Sequence, residues 1–194
     1  MKILKIDPEN PEDGLIALAS TAISEGKILI YPTDTVYGIG CSVKSRNIKK
    51  IFEIKKRSDK NPLSVAFSSL EMVKRYVFLT SKEENFIRDN ILKPYTFVVR
   101  KRESIPGIIT AGKDTVGVRI PDHRVVKGMI ENARIPIITT SANISGEKAP
   151  VSFDEIDEDI IAKVDLAIDS GRCKIGKPSL VIDLKSGKFL RGFR

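Results

Sequence analysis

The chain is poor in the residues that most often carry chemistry. It has one histidine, two cysteines and no tryptophan among 194 residues. Cys41 and Cys173 lack any metal-ligand spacing, and with only His123 beside them a Cys/His zinc site is short of ligands. A Ser-His-Asp or Cys-His nucleophile system would have to use His123 as its only base. Following Pro121-Asp122, that residue reads instead as part of the first turn of a helix. Few carboxylates are clustered near the polar and basic segments that could bind a ligand, so no dedicated metal site is expected. Aromatic residues make up 6% of the chain, which disfavours a platform for stacking single-stranded bases. No apolar run approaches the roughly 20 residues that cross a bilayer. The N-terminal stretch Met1-Lys2-Ile3-Leu4-Lys5-Ile6-Asp7 is too short and too charged for a signal peptide. Cytoplasmic residence without a membrane partner is the expectation.

What the chain does have is a globular balance, 41% hydrophobic against 30% charged, and enough length to bury a core. The net charge of +8 is uneven. Residues 44–60 carry eight basic side chains against Glu53 and Asp59, which is most of the excess. Such a concentration attracts a polyanion, either a nucleoside triphosphate or a nucleic acid. Lys44, Lys49 and Lys50 read as the solvated face of a helix.

The periodicities alternate between strand and helix. Lys2–Ile6 is strand-like; Asn10-Pro11 predicts a helix start, with an apolar stripe through Ile23 and a stop at Gly26. Residues 28–31 form a buried strand. A helix from Asn47 to about Lys56, a strand over Leu63–Phe67 and a short helix near Ser69–Tyr76 follow. Ser81 and Glu84 predict a capping box for a helix through Leu92. Thr96–Arg100 and Thr115–Ile120 are strands separated by a long loop. A helix over 124–132 leads to the strand Ile135–Thr139. Ser152 and Glu155 predict a second capping box for a helix through Val164. Leu166–Ile168, Leu180–Leu184 and Lys188–Arg191 close the chain as strands. There is no repeat, low-complexity tract or linker. The reading is α/β, a single domain over 1–194, with a mixed sheet because some neighbouring strands have no helix between them.

The run Tyr31-Pro32-Thr33-Asp34-Thr35-Val36-Tyr37-Gly38-Ile39-Gly40 is the least ordinary stretch. A strand ends at Pro32, which has no N–H for a ladder, and small polar side chains precede a glycine-loosened loop. Open α/β sheets place ligands at such strand ends. The glycines match neither a dinucleotide fingerprint nor a phosphate loop. Asp34 reads as a turn cap. Two further segments share the form of a strand or helix end followed by a polar or basic loop. They are Lys55-x-Arg57 with Asn61, and Ser141-x-Asn143, with Arg119 at a strand end as a fourth element. If they converge, the pocket offers cations and neutral donors but no nucleophile, which suits phosphate activation by positioning and charge stabilisation.

These strings, Pro-Thr-Asp-Thr-Val-Tyr-Gly, Lys-x-Arg-x-x-x-Asn-Pro-Leu, Thr-Val-x-Val-Arg-x-Pro and Ser-Ala-Asn-x-Ser-Gly, resemble the YrdC/TsaC family of threonylcarbamoyl-AMP synthases from about Gly26 to Arg191. The resemblance implies a twisted open sheet flanked by helices with a concave basic face. It also implies synthesis of threonylcarbamoyl-AMP from L-threonine, bicarbonate (or CO2) and ATP with release of pyrophosphate. A separate threonylcarbamoyl transferase would then modify tRNA. Carried over by position, Thr35, Arg119 and Ser141 would meet threonine, the guanidinium pairing the carboxylate. Arg57, Asn61, Thr115, Asn143, Ser179 and Arg191 would meet ATP. Lys55 and Arg57 would offset charge on the departing pyrophosphate, with Mg²⁺ held mainly by the phosphates and water.

The chain departs from the family pattern at Ala66, where His is frequent, and at Leu180, where Thr usually follows Ser179. It also has a thin version, Lys93-Pro94-Tyr95-Thr96, of the usual Pro-Gly-Pro-x-Thr. It resembles the short form, without a C-terminal extension domain. Some relatives have lost the Ser-x-Asn element; this chain keeps it. The rival reading is a non-catalytic module gripping tRNA or double-stranded RNA through phosphates, with steep salt dependence and no requirement for threonine or ATP.

Overall fold

The computed structural model describes residues 2–191, and side chains up to 190. Buried β-branched segments form a mixed sheet. In chain order the elements are β1 (Lys2–Lys5), α1 (Asp13–Ser24), β2 (Leu29–Tyr31), β3 (Gly38–Gly40) and α2 (Ile48–Ile54). Then come β4 (Ser64–Ala66), α3 (Leu70–Lys74), β5 (Val77–Phe78), α4 (Ser81–Asp89), β6 (Tyr95–Lys101) and β7 (Thr115–Arg119). The chain continues with α5 (Arg124–Ala133), β8 (Ile137–Ser141), a 3-10 turn (Phe153–Glu155), α6 (Glu158–Ile161), β9 (Leu166–Asp169), β10 (Leu180–Asp183) and β11 (Lys188–Arg191). The strands run β1-β9-β2-β3-β8-β4-β7-β6-β10-β11, with β5 on the side of β6. Pairs β1/β9, β2/β9, β4/β7 and β6/β10 are parallel and the others antiparallel, the mixed sheet expected from the missing crossover helices.

Period-two alternation in the middle strands gives the sheet two different faces. Phe97, Val99, Val116 and Val118 point into the apolar core, which also takes Ile16, Ile23, Val125, Val126, Met129 and Ile130 from α1 and α5. The residues between them, Thr96, Val98, Thr115, Gly117 and Arg119, line a cavity on the other face. Helices α1 and α5 pack closely because Gly128 leaves room: a Cβ there would lie 3.3 Å from Ile16.

Several boundaries differ from the sequence reading. Asn10 does not cap α1, which starts at Asp13 behind Glu12. The capping box of α4 is Thr80 with Glu83, one residue earlier than expected, and Glu84 instead pairs with Lys74 and Arg88. No helix runs from Ser152 to Val164. Glu155 accepts from Val151 N–H, and two short helical turns follow one another, the second capped by Asp157. The largest difference is at Gly38-Ile39-Gly40, read as loop but found as β3, antiparallel to both β2 and β8. Its glycines answer to crowding: a Cβ on Gly40 would sit 1.7 Å from the carbonyl oxygen of Ile138, and one on Gly38 2.9 Å from the Tyr31 ring.

Candidate active site

Residues 32–37 form the turn of the β2–β3 hairpin, and Thr33 organises it. Its hydroxyl accepts the N–H groups of Thr35 (3.1 Å) and Val36 (3.2 Å) and donates to the Val36 carbonyl (2.7 Å). Asp34 therefore does not cap the turn, as the sequence had suggested. Its Oδ1 accepts from Arg119 Nη2 at 2.7 Å, an ion pair whose side chains are 6% and 7% exposed. The guanidinium comes from the last residue of β7, held beside Ala66 of β4 and by Phe67 N–H on the Arg119 carbonyl.

Helix α2 ends in a tight cap that sends its basic residues in different directions. Arg57 N–H reaches back to the Phe52 carbonyl and Lys56 N–H to that of Glu53, with Lys56 left-handed at φ 47°. Lys55 thereby turns inward and is 1% exposed. Its ammonium donates to the main-chain carbonyls of Ser141 and Asn143, the latter at 2.6 Å, and lies 3.5 Å from Asn143 Oδ1. Its own carbonyl accepts Ser145 N–H, so the loop after β8 is wrapped around this one residue. Burial, with the Arg57 charge as a smaller contribution, lowers the Lys55 ammonium to about 7. Arg57 is half-buried. Its Nε and Nη2 donate to the carbonyls of Asn61 and Pro62 at 3.2 and 2.9 Å, and burial lowers its pKa too.

The cavity encloses about 420 Å³, within the range of small-molecule sites. It brings together Thr35, Arg57, Thr115, Arg119, Ser141 and Ser179 of the residues singled out from sequence. Lys55, Asn61 and Asn143 do not line it. Lys55 lies buried beneath the 141–145 loop. Asn61 is exposed and contributes its carbonyl to Arg57. Asn143 is buried, its amide donating to the carbonyls of Ile144 and Glu147. The backbone of Arg191 pairs with Val181, and its side chain falls outside the described residues.

Sequence reading missed Ser64, Thr96, Gly117 and Lys113, all of which line the cavity. Gly117 was visible in the alternation of β7, between Thr115 and Arg119 on the same face. A Cβ there would come within 2.7 Å of Ser64 Oγ and 3.0 Å of Thr96 Cγ2, so its absence shapes the cavity floor. Thr96 and Ser179 hydroxyls meet at 2.8 Å. Lys113 stands at the end of the long loop, whose turn is fixed by Thr110 Oγ1 donating to the Lys113 carbonyl.

No aspartate or glutamate lines the cavity, and among the described residues no group of three His, Cys, Asp or Glu side chains could hold a metal. His123, half-buried before α5, has its pKa lowered by burial and lies outside the lining. Both cysteines are free, and burial pushes each thiol up to about 11. No helix of the described residues is long and apolar enough to cross a membrane.

Guanidinium groups and hydroxyls, with no histidine or carboxylate beside them, on one face of a mixed sheet define an α/β protein with a recess complementary to anionic groups. The chain belongs to the Sua5/YciO/YrdC family, whose model, described as "Telomere recombination", matches residues 21–192. A Methanocaldococcus jannaschii relative is 35% identical over 192 residues, covering 97% of this chain and 90% of its own. The threonylcarbamoyl-AMP synthase of Pyrococcus abyssi is 39% identical over 91% of this chain, which spans about half (52%) of that protein. Among solved structures, P. abyssi Sua5 complexed with L-threonine aligns over the whole chain and 58% of its own length, with TM-score 0.92 and 36% identity. Escherichia coli YciO aligns over the whole chain and 96% of its own, with TM-score 0.90 and 26% identity.

Proposed function

We propose that the chain joins L-threonine, CO2 (from bicarbonate) and ATP into threonylcarbamoyl-AMP and pyrophosphate, the first step of threonylcarbamoyladenosine formation in tRNA. The observation that carries this reading is that Arg57 and Arg119, from distant parts of the sequence, open onto one cavity with hydroxyls that no histidine or carboxylate activates. The names of the P. abyssi protein and of its threonine complex support it.

In this reading Arg119 pairs the threonine carboxylate, and the hydroxyls of Thr35 and Ser141 face the amino acid. The threonine amine attacks CO2, forming a C–N bond and releasing a proton to solvent. The carbamate oxygen then attacks the α-phosphorus of ATP, and the bond to the β-phosphate oxygen breaks. Arg57 balances charge on the leaving pyrophosphate, with Thr115 and Ser179 along the nucleotide. Asn61 acts through Arg57. Lys55 and Asn143 act as positioning residues that hold the loop carrying Ser141. With no carboxylate lining the cavity, Mg²⁺ would be held by the phosphates of ATP and by water, where it would offset phosphate charge. A separate transferase consumes the adenylate.

The test is incubation with Mg–ATP, threonine and bicarbonate, reading product by mass and pyrophosphate by release. Product that needs all three, and falls about 10²-fold or more in Arg57→Ala, is expected. Pyrophosphate release without threonine, or an Arg57→Ala variant as active as wild type, would overturn the proposal. The RNA-binding alternative instead predicts salt-sensitive tRNA retention with no adenylate formed.

A further inference from the structure

We infer that Asp34 is a positioning residue that holds Arg119 from behind the cavity and, by its charge, reserves that guanidinium for an amino-acid carboxylate rather than for phosphate. The inference rests on the synthase reading for the identity of the ligand, threonine. It rests on geometry for the role of Asp34.

Arg119 lines the cavity and Asp34 does not. Their 2.7 Å contact is the only hydrogen bond of this guanidinium among the described residues. Asp34 is fixed by its backbone on both sides: its carbonyl accepts Ile175 N–H and that of Thr35 accepts Gly176 N–H, each at 2.9 Å. The Thr33 hydroxyl closes the turn around it. A guanidinium has five N–H donors, and Nη2 carries two of them. With one taken by Asp34, a complete two-donor edge remains for a carboxylate, and the side chain is already immobilised before ligand arrives.

The two cavity arginines also differ in what backs them. Arg57 is held by neutral carbonyls and keeps its full charge, whereas Arg119 shares a buried site with a carboxylate. A polyanion is therefore drawn to Arg57, and a singly charged carboxylate carried by a zwitterion can still bind Arg119. Without Asp34 the cavity would present two unbalanced guanidiniums, and the phosphates of ATP would compete for both.

The experiment measures steady-state pyrophosphate release and calorimetric threonine binding for wild type, Asp34→Ala and Asp34→Asn. Asp34→Ala is expected to raise the threonine KM and Kd about tenfold while the ATP KM stays within about twofold, the effect of one charge-assisted hydrogen bond. Asp34→Asn keeps an acceptor for Nη2 and removes the charge. It is expected to recover most threonine affinity, yet to show inhibition by Mg–ATP that is competitive with threonine. Threonine KM and Kd unchanged in Asp34→Ala would overturn the inference while leaving the synthase reading intact. So would a joint rise of both KM values with a fall in Tm that Asn does not rescue, since that marks a merely structural residue. Wild type that binds threonine in an Asp34-dependent way but makes no adenylate would sink the synthase reading and spare the inference. Wild type that binds no threonine would sink both.

Discussion

Lys55 shows how one side chain can be misplaced by sequence logic and still matter to the site. Its neighbours in Lys-x-Arg suggested a phosphate contact, but the cap of α2 turns it into the interior, where two carbonyls of the 141–145 loop receive it. Burial lowers it from 10.5 to about 7. Below pH 7 both folded and unfolded chains carry the proton, and the desolvation penalty is present in full. Between pH 7 and 10.5 the unfolded chain still binds a proton that the folded chain has released, so stability rises with pH by at most about 1.4 kcal/mol per unit. The neutral amine keeps two N–H groups, enough for both short contacts. Melting followed from pH 6 to 9 should therefore show wild type gaining on Lys55→Met as pH increases; parallel curves would contradict the lowered pKa. Next to it, Lys56 holds a left-handed conformation at φ 47° without being glycine. Lys56→Gly should stabilise the protein by about 1 kcal/mol in denaturant titration, because it relieves the Cβ clash that such a conformation imposes.

At the scale of elements, glycine in this fold is a packing residue. The β3 strand lies between β2 and β8, and Gly40 faces the Ile138 carbonyl where no Cβ fits. Gly40→Ala should lower stability by about 3 kcal/mol through forced separation of β3 and β8. Gly107→Ala, at a glycine with open space and an ordinary φ, should change little. Thermal melts of the pair test this. Gly117 sits on the cavity face of β7, so Gly117→Val should fold, since a β-branched residue suits a strand, yet lose most pyrophosphate release by filling the floor. An inactive Gly117→Val that is also unfolded would show instead that Ser64 and Thr96 cannot give way to the added side chain.

At the scale of the whole molecule, the question is whether the +8 charge or the cavity governs function. Lys44, Lys49 and Lys50 are exposed, while Arg57 and Arg119 are drawn into one recess on the sheet. Replacing those three lysines by Gln should leave pyrophosphate release within about twofold, because exposed charges are screened by water and salt. Arg57→Ala should lower it about 10²-fold or more at the same ionic strength. Equal losses in both would return weight to the rival nucleic-acid reading. The alternation of Thr115-Val116-Gly117-Val118-Arg119 and the apolar stripe of α1 were legible because burial imposes fixed periods on strands and helices. The β3 strand was illegible because two glycines around a single isoleucine carry no period and too little strand propensity. Only neighbours on both sides make them a strand.

The chain alone determined the α/β class, the mixed sheet and the residue types that the site would have to use, since hydrophobic period and side-chain chemistry are local properties. The tertiary structure alone decided which cations face the cavity and which are turned away from it. Arg57 and Lys55 are two residues apart, yet the left-handed turn at Lys56 sends one to the cavity and buries the other. Arg119 meets Asp34 across 85 positions. Those outcomes depend on where distant backbones come to rest, and no spacing along the chain encodes them.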